Sequence, residues 1–243
     1  MRDPRFPFDI MKREHDFQIE YYAERVEKNR NQPAKVQSAF HNNCRYLSLE
    51  TCIRTYSLGE DIANMSEWLV RSITHLQGII ENIPENNMRL SETDHSEFTW
   101  QISLAHLLGL KSSTEQMGDL ERALSPLSRD VFLQVLAGQE EIHSDGLYLP
   151  NMYQGAYDAL HSDTPEQALE HLKKHMKSWY PKRQACLWYG YHKFTDEGAR
   201  YYGYWAFEAA AIAYLKGVDD RELRESPYYP ADMVDYARAR GIT

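Results

Sequence analysis

The sequence predicts an all-α fold. Three observations carry that expectation: apolar residues recur at three- and four-residue spacing along most of the chain, long strand-like alternation is missing, and Pro and Gly punctuate the ends of the periodic stretches. The expected architecture is a multi-helix globular protein of two helical subdomains packed together, over residues 8–125 and 128–240, with Ser125-Pro126-Leu127-Ser128 as the joint.

The elements follow in chain order. From Phe8 to about Arg30, the residues Ile10, Phe17, Tyr21, Tyr22 and Val26 recur between charges and predict a long amphipathic helix. Pro33 opens a second helix to about Tyr56, with Val36, Phe40, Cys44, Leu47, Ile53 and Tyr56 inward and Ser57-Leu58-Gly59 as its exit. A third, from about Glu60 to Ile83, carries Ile62, Met65, Leu69, Ile73, Leu76 and Ile80 until Pro84 breaks it. The polar run Ser91-Glu92-Thr93-Asp94-His95 precedes a fourth helix bearing Phe98, Trp100, Ile102, Leu104, Leu107 and Leu108. Between Lys111 and Ser128 the apolar density falls.

Beyond the joint, Ser128 is the expected cap of a helix through Leu136, and Pro150 restarts the chain towards Leu160. Residues 145–149 are short and apolar enough for one extended piece. Thr164-Pro165 reads as an N-cap followed by proline at the first helical position, opening a helix through Leu169, Leu172 and Met176. Pro181 then separates Trp179-Tyr180 from a further helix with Cys186, Leu187 and Trp188. The stretch from Tyr201 to Leu215 is aromatic and Ala-rich on nearly every face, which predicts a helix at the centre of its domain, stopped by Gly217. Pro227 and Pro230 forbid immediate helix, and a last one runs from about Ala231 to Arg240.

Composition narrows function. The formal net charge of -9 is spread over both halves, with 14 Lys plus Arg against 19 Asp plus Glu in residues 1–127, hence 13 against 17 in 128–243. That balance disfavours direct nucleic-acid binding, which requires a basic surface, and suits a basic protein partner or simply solubility. No run of about 18 apolar residues suggests a membrane span, the N-terminus lacks a signal-peptide pattern, and Cys44, Cys52 and Cys186 show neither pairing nor metal spacing. A cytoplasmic protein with buried thiols is expected.

Several patterns imitate active sites. Glu92-Thr93-Asp94-His95 and Glu140-Glu141-Ile142-His143 both match Glu-x-x-His, which in pairs with further Glu residues builds di-metal carboxylate sites in helical bundles. Both fall in polar connecting segments, so coincidence is the expectation. His171 and His175 share a helix face, but Lys173 and Lys174 crowd that helix, and a solvated face is expected. Cys44 and Cys52 read as core residues of one helix. A Gly-x-Ser-x-Gly elbow and a phosphate-cradling Gly-rich loop are absent. Glu208, inside the most apolar helix, requires a partner, for which Arg200, Arg45 and Arg54 are candidates. Asp219 and Asp220 suit either a cap on the Arg221-Glu222-Leu223 turn or acidic surface for a partner.

Gly203-Tyr204-Trp205, Phe207-Glu208-Ala209, Asp219-Asp220 and Tyr229-Pro230-Ala231-Asp232 occur in that order. Together they resemble the C-terminal signature of the bacterial PoNi immunity proteins. The N-terminal half, with Tyr21-Tyr22, Asn43-Cys44-Arg45-Tyr46 and Tyr56-Ser57-Leu58-Gly59, is similar to the PoNi_N domain that precedes PoNi_C, so the two cover about residues 8–240. The resemblance implies a protein that binds and blocks a cognate DNase toxin, often one delivered by a type VI secretion system. It implies no catalytic residues, no cofactor and no metal. A DNase presents a cationic groove, so acidic rim residues would speed association while aromatic anchors supply affinity. Helix ends and loops offer Glu60, Asp61, Glu140, Glu141, Asp145, Asp219 and Asp220 as acidic contacts and Tyr148, Tyr153, Tyr228 and Tyr229 as aromatic ones. Reversing the charges of Asp219 and Asp220 together is expected to weaken toxin binding without unfolding the protein. The alternatives are a helical metalloenzyme using the Glu-x-x-His pairs and a general protein-binding scaffold.

Overall fold

A computed structural model describes residues 1–29, 34–82, 89–125, 128–140, 142, 146–196 and 198–241. The fold is all-α, and the described residues contain no strand. Among the described residues ten α-helices run in order: α1 Phe8–Asn29, α2 Ala34–Leu58, α3 Met65–Glu81, α4 Glu92–Leu108, α5 Lys111–Arg122, α6 Val131–Leu136, α7 Pro150–Leu160, α8 Pro165–Lys177, α9 Phe207–Leu215 and α10 Ala231–Ala239. Their contacts define two compact units, each discontinuous in sequence: Met1–Met88 with Trp188–Gly203, and Arg89–Leu187 with Tyr204–Thr243. Ser125 and Ser128 both lie inside the second unit, where the Ser128 amide donates to the Ser125 carbonyl over 2.7 Å. Within the described residues no helix is long and apolar enough to cross a membrane.

In the first unit α2 packs between α1 and α3, burying Cys44, Leu49, Cys52 and Ile53 against Leu69, Ile73 and Leu76. All three cysteines of the chain are free and buried, and burial pushes the thiol of Cys44 up to about 11. The inward stripe of α1 is Met11, His15, Gln18 and Tyr22. This corrects the expectation for Phe17, which points outwards and is 61% exposed. Polar Gln18 occupies the buried face because its side-chain amide donates to the Leu47 carbonyl and to Glu50, both over 3.0 Å, while His15 Nε2 stands 3.8 Å from the Glu60 carboxylate. The segment closing this unit is held through its backbone carbonyls. Arg54 Nε donates to the Tyr201 carbonyl (3.1 Å), and Ser57 Oγ to the Tyr202 carbonyl (2.7 Å).

A chain of three side chains joins the helices of this unit. Tyr22 Oη lies 2.9 Å from His75 Nε2, and His75 Nδ1 lies 2.9 Å from His41 Nδ1. Gly78 leaves the room for it, since a Cβ there would stand 2.5 Å from the His41 ring. Two facing Nδ1 atoms need one hydrogen between them, so a second proton on the pair destroys the contact. Burial is the main cause that pushes His75 down to about 4 from its usual 6.5, with His41 and Arg71 adding to it. Its stabilising contribution is therefore complete above pH 6.5 and is lost as the pH falls from 6.5 through about 4. The loss is on the order of 3 kcal/mol. Urea unfolding at pH 7 and pH 4.5 should show that loss in the wild type and a smaller one in His75→Gln; equal losses would contradict the assignment.

In the second unit α4 is buried on nearly all faces and α9 packs along it, with Trp100 meeting Phe207 edge-on at 6.5 Å. The capping box at its start is complete. Ser91 Oγ accepts from the Asp94 amide and the Asp94 carboxylate accepts from the Ser91 amide. Lys111–Arg122, where the apolar density falls, is α5; it buries Met117 and Leu120 beside Ser113, Thr114, Gly118 and Glu121, too few apolar residues to stand out by periodicity. The cap of α6 is Asp130, whose side chain accepts from the Leu133 amide, while Ser128 Oγ accepts from the Leu90 amide. Thr164 caps α8 as expected. Residues after Pro181 form 3₁₀ turns at Pro181–Arg183 and Tyr191–Lys193, in place of the expected α-helix.

The aromatic stretch before α9 also departs from the expectation of one helix over 201–215. The helix begins at Phe207, and residues 201–206 are buried but non-helical. Gly203 has φ 120°, outside helical geometry. The Ala206 amide donates to the Tyr228 carbonyl at 2.8 Å, so this backbone is satisfied by distant partners. Gly217, with φ 63°, ends α9 as the sequence suggests.

Candidate functional site

The most elaborate polar cluster of the second unit surrounds Glu208, in the first turn of α9. Its Oε1 accepts from His175 Nε2 (2.9 Å), Trp179 Nε1 (2.6 Å) and Arg183 Nη2 (2.9 Å). Glu208 and Arg183 are both fully shielded from solvent. The guanidinium also donates to the Trp179 carbonyl over 2.6 Å and lies 4.2 Å from the Trp179 ring and 5.2 Å from the Tyr153 ring. Arg183, His175 and Trp179 are the partners, which corrects the candidates Arg200, Arg45 and Arg54. Arg45 and Arg54 are spent elsewhere, Arg45 over Tyr46 at 4.1 Å and Arg54 on the Tyr201 carbonyl. The expectation of a solvated His175 is also corrected. It is buried, and Gly155 opens the space, since a Cβ there would approach the His175 Cβ to 3.1 Å.

Burial opposes ionisation of Glu208, but the Arg183 charge and the His175 hydrogen bond outweigh it and hold the carboxyl below its usual range. Burial depresses His175 despite the pull of Glu208, so a neutral imidazole donating through Nε2 fits both groups. A carboxylate locked by three donors and closed to solvent tethers α8, α9 and the Pro181–Arg183 turn. It has no access to a substrate.

Asp219 and Asp220 separate into two roles. Asp219 is exposed, caps the 3₁₀ turn Asp220–Glu225 through the Arg221 amide and pairs with the Arg221 guanidinium at 2.9 Å, which keeps its carboxyl low. Asp220 is only 2% exposed and accepts from Arg224 (3.2 Å) and Arg238 (2.8 Å), while Arg238 also donates to the Val218 carbonyl over 2.7 Å. It binds the turn to α10. The expected double charge reversal would therefore break an internal tether, and Asp220 is corrected from surface residue to buried one.

The other candidate contacts divide in the same way. Tyr153 sits within α7, 1% exposed, its hydroxyl donating to Ser96 over 3.0 Å and its ring stacked on Phe132, so its placement near a surface loop is corrected. Tyr229 is likewise buried at 4%. Tyr228 is half-buried and stacks on Tyr180 at 5.3 Å. Tyr148 is 39% exposed, with its hydroxyl donating to the Leu90 carbonyl (2.7 Å) and its ring stacked on His95. Glu60 lies 3.6 Å from Lys12, and Asp61 is exposed and caps the turn Ile62–Asn64. Glu140 is exposed on an open concavity of about 500 Å³ shared with Glu115, Asp119, Arg122 and Gln139. Glu141 and Asp145 lie outside the described residues.

The Glu-x-x-His motifs are not brought together. Glu92 to His95 form the first turn of α4 rather than a connection, and His95 is buried 3.5 Å from Asp130. Glu140 is surface-exposed, whereas Glu141 and His143 lie outside the described residues. His171 faces Asp158 at 3.7 Å while His175 reaches Glu208. Among the described residues no three His, Cys, Asp or Glu side chains form a group that could hold a metal ion.

Comparison with known proteins adds to this geometry. Residues 128–233 match the family described as PoNe immunity proteins (PoNi), C-terminal. The structure is similar to the crystal structure of protein PA2201 from Pseudomonas aeruginosa, with a TM-score of 0.68 at 19% identity, covering 98% of this chain and 92% of that one. At that identity the likeness concerns the fold. No curated protein matches the sequence.

Proposed function

From the match of residues 128–233 to the C-terminal domain of the PoNi immunity proteins, we propose that the chain binds a cognate DNase toxin stoichiometrically and blocks it. The family match supports an immunity protein against a polymorphic nuclease toxin, in keeping with a family of non-enzymatic inhibitors. The finer reading is a DNase partner delivered by a type VI secretion system, with residues 8–125 acting as a PoNi_N-like domain ahead of a PoNi_C-like domain over 128–240. Inhibition proceeds by protein-protein contact in the cytoplasm, without cofactor, metal or direct nucleic-acid binding.

The observation that carries this reading is the family match. The chemistry of the chain supports it. A net charge of -9 complements the cationic DNA path of a nuclease. The acidic contacts proposed for the second unit are the exposed Asp219 and Glu140, with Tyr148 and the half-buried Tyr228 as aromatic anchors; Glu60 and Asp61 serve the first. Survival is the test. Bacteria expressing the toxic C-terminal domain encoded beside this gene should survive only when this chain is co-expressed, and the two proteins should co-purify. Continued killing in the presence of the folded protein would overturn the proposal.

A further inference from the structure

Phe17 is among the most exposed large apolar side chains of the described residues, at 61%, although it lies inside a 22-residue helix with an intact buried stripe. It is not isolated. Tyr21, one turn on, stacks its ring on Phe17 with centroids 5.9 Å apart and planes 12° from parallel. One further turn along, the Arg25 guanidinium lies 5.3 Å from the Tyr21 ring centre. The positions 17, 21 and 25 therefore form a stripe beside the buried one, of the residue types that dominate binding energy at protein interfaces. Carboxylates outnumber bases along the helix: α1 holds Asp9, Glu14, Asp16, Glu20, Glu24 and Glu27 against Lys12, Arg13, Arg25 and Lys28, with Asp16 paired to Lys12 and Glu24 to Lys28. Glu20 and Glu24 follow Phe17 and Tyr21 by three residues each and are exposed.

Resting on the nuclease-inhibitor reading, we infer that this face of α1 is a docking surface for a Lys- and Arg-rich patch of the toxin. Aromatic faces attract ammonium and guanidinium groups, and the surrounding carboxylates attract the same cations at longer range. The charge decides between occupants. A second copy would oppose one acidic rim to another, and an anionic nucleic acid or lipid surface would meet the same repulsion. A nuclease that holds DNA phosphates presents the opposite sign.

The experiment uses the full chain and a catalytically inactivated toxin domain in a binding titration at low and high salt. Two double variants, Phe17→Gln with Tyr21→Gln and Glu20→Lys with Glu24→Lys, remain helix-compatible and change the surface only. Thermal melts check that both stay folded. The aromatic variant should bind about tenfold or more weakly. The charge variant should associate more slowly at low salt, with the difference shrinking at high salt. Wild-type affinity in both variants would overturn the α1 surface while leaving the immunity reading intact. No binding by the wild type would overturn both. Sedimentation showing a wild-type dimer that Phe17→Gln with Tyr21→Gln converts to monomer would assign the stripe to a second copy and contradict the inference.

Discussion

Replacing Glu208 by Ala should lower the melting temperature by roughly 6–20 °C. The expectation follows from removing one member of a buried pair, which costs about 3–5 kcal/mol because the remaining charge is stranded, and from roughly 2–4 °C per kcal/mol for a chain of this size. Here the stranded group is Arg183, fully buried over the Trp179 ring. Trp179 Nε1 and His175 Nε2 lose their acceptor at the same time. Glu208→Gln retains an acceptor oxygen and should fall between Ala and wild type. The pair Glu208→Leu with Arg183→Met should be less damaging than Glu208→Ala alone, because it strands no charge. The pH dependence has a defined sign: the folded carboxyl lies below its ordinary 4.5, so its contribution is present above that value and lost as pH falls through the depressed one. Circular-dichroism melts decide the matter. An Ala variant melting within about 2 °C of wild type would contradict the tether.

The two neighbouring aspartates should behave oppositely. Asp220→Ala removes charged hydrogen bonds to Arg224 and Arg238 inside the domain and should cost about 1.5–3 kcal/mol, roughly 3–12 °C in melting temperature. Arg224 keeps its pair with Asp235 at 2.6 Å, which limits the loss. Asp220→Lys should be worse, since it adds a third cation to the two arginines. Asp219→Lys gives up only a solvent-exposed cap and pair, and should melt close to wild type. If Asp219 contacts the toxin, this variant binds more weakly while melting near wild type. Equal melting of the Asp219→Lys and Asp220→Lys variants would contradict the division.

The helices were legible because burial writes itself into spacing. The expected first two helices, about 8–30 and 33–56, correspond to α1 Phe8–Asn29 and α2 Ala34–Leu58. Thr164 with Pro165 located the start of α8, since capping chemistry is local. What distant partners decide was not legible. Nothing near Tyr201 in the sequence shows that the Tyr201 and Tyr202 carbonyls accept from Arg54 and Ser57, which helps hold residues 201–206 outside α9. His175 looked solvated beside Lys173 and Lys174 because its partner, Glu208, lies 33 residues away. Asp219 and Asp220 are indistinguishable as letters, and only packing against Arg238 separates the exposed cap from the buried tether. Phe17 shows the reverse limit. Its apolar character fits an inward reading equally well, and only the competing stripe of Met11, His15, Gln18 and Tyr22 turns it outwards.

Inhibition of a nuclease by binding is the central claim, and a titration of purified components tests it most directly. The toxin domain encoded next to this gene is incubated with plasmid DNA and its metal, and increasing amounts of this chain are added while cleavage is followed on a gel. Cleavage should fall linearly and stop at a defined small-integer molar ratio, with excess DNA failing to restore it. Undiminished cleavage at a large molar excess of folded protein would contradict the account.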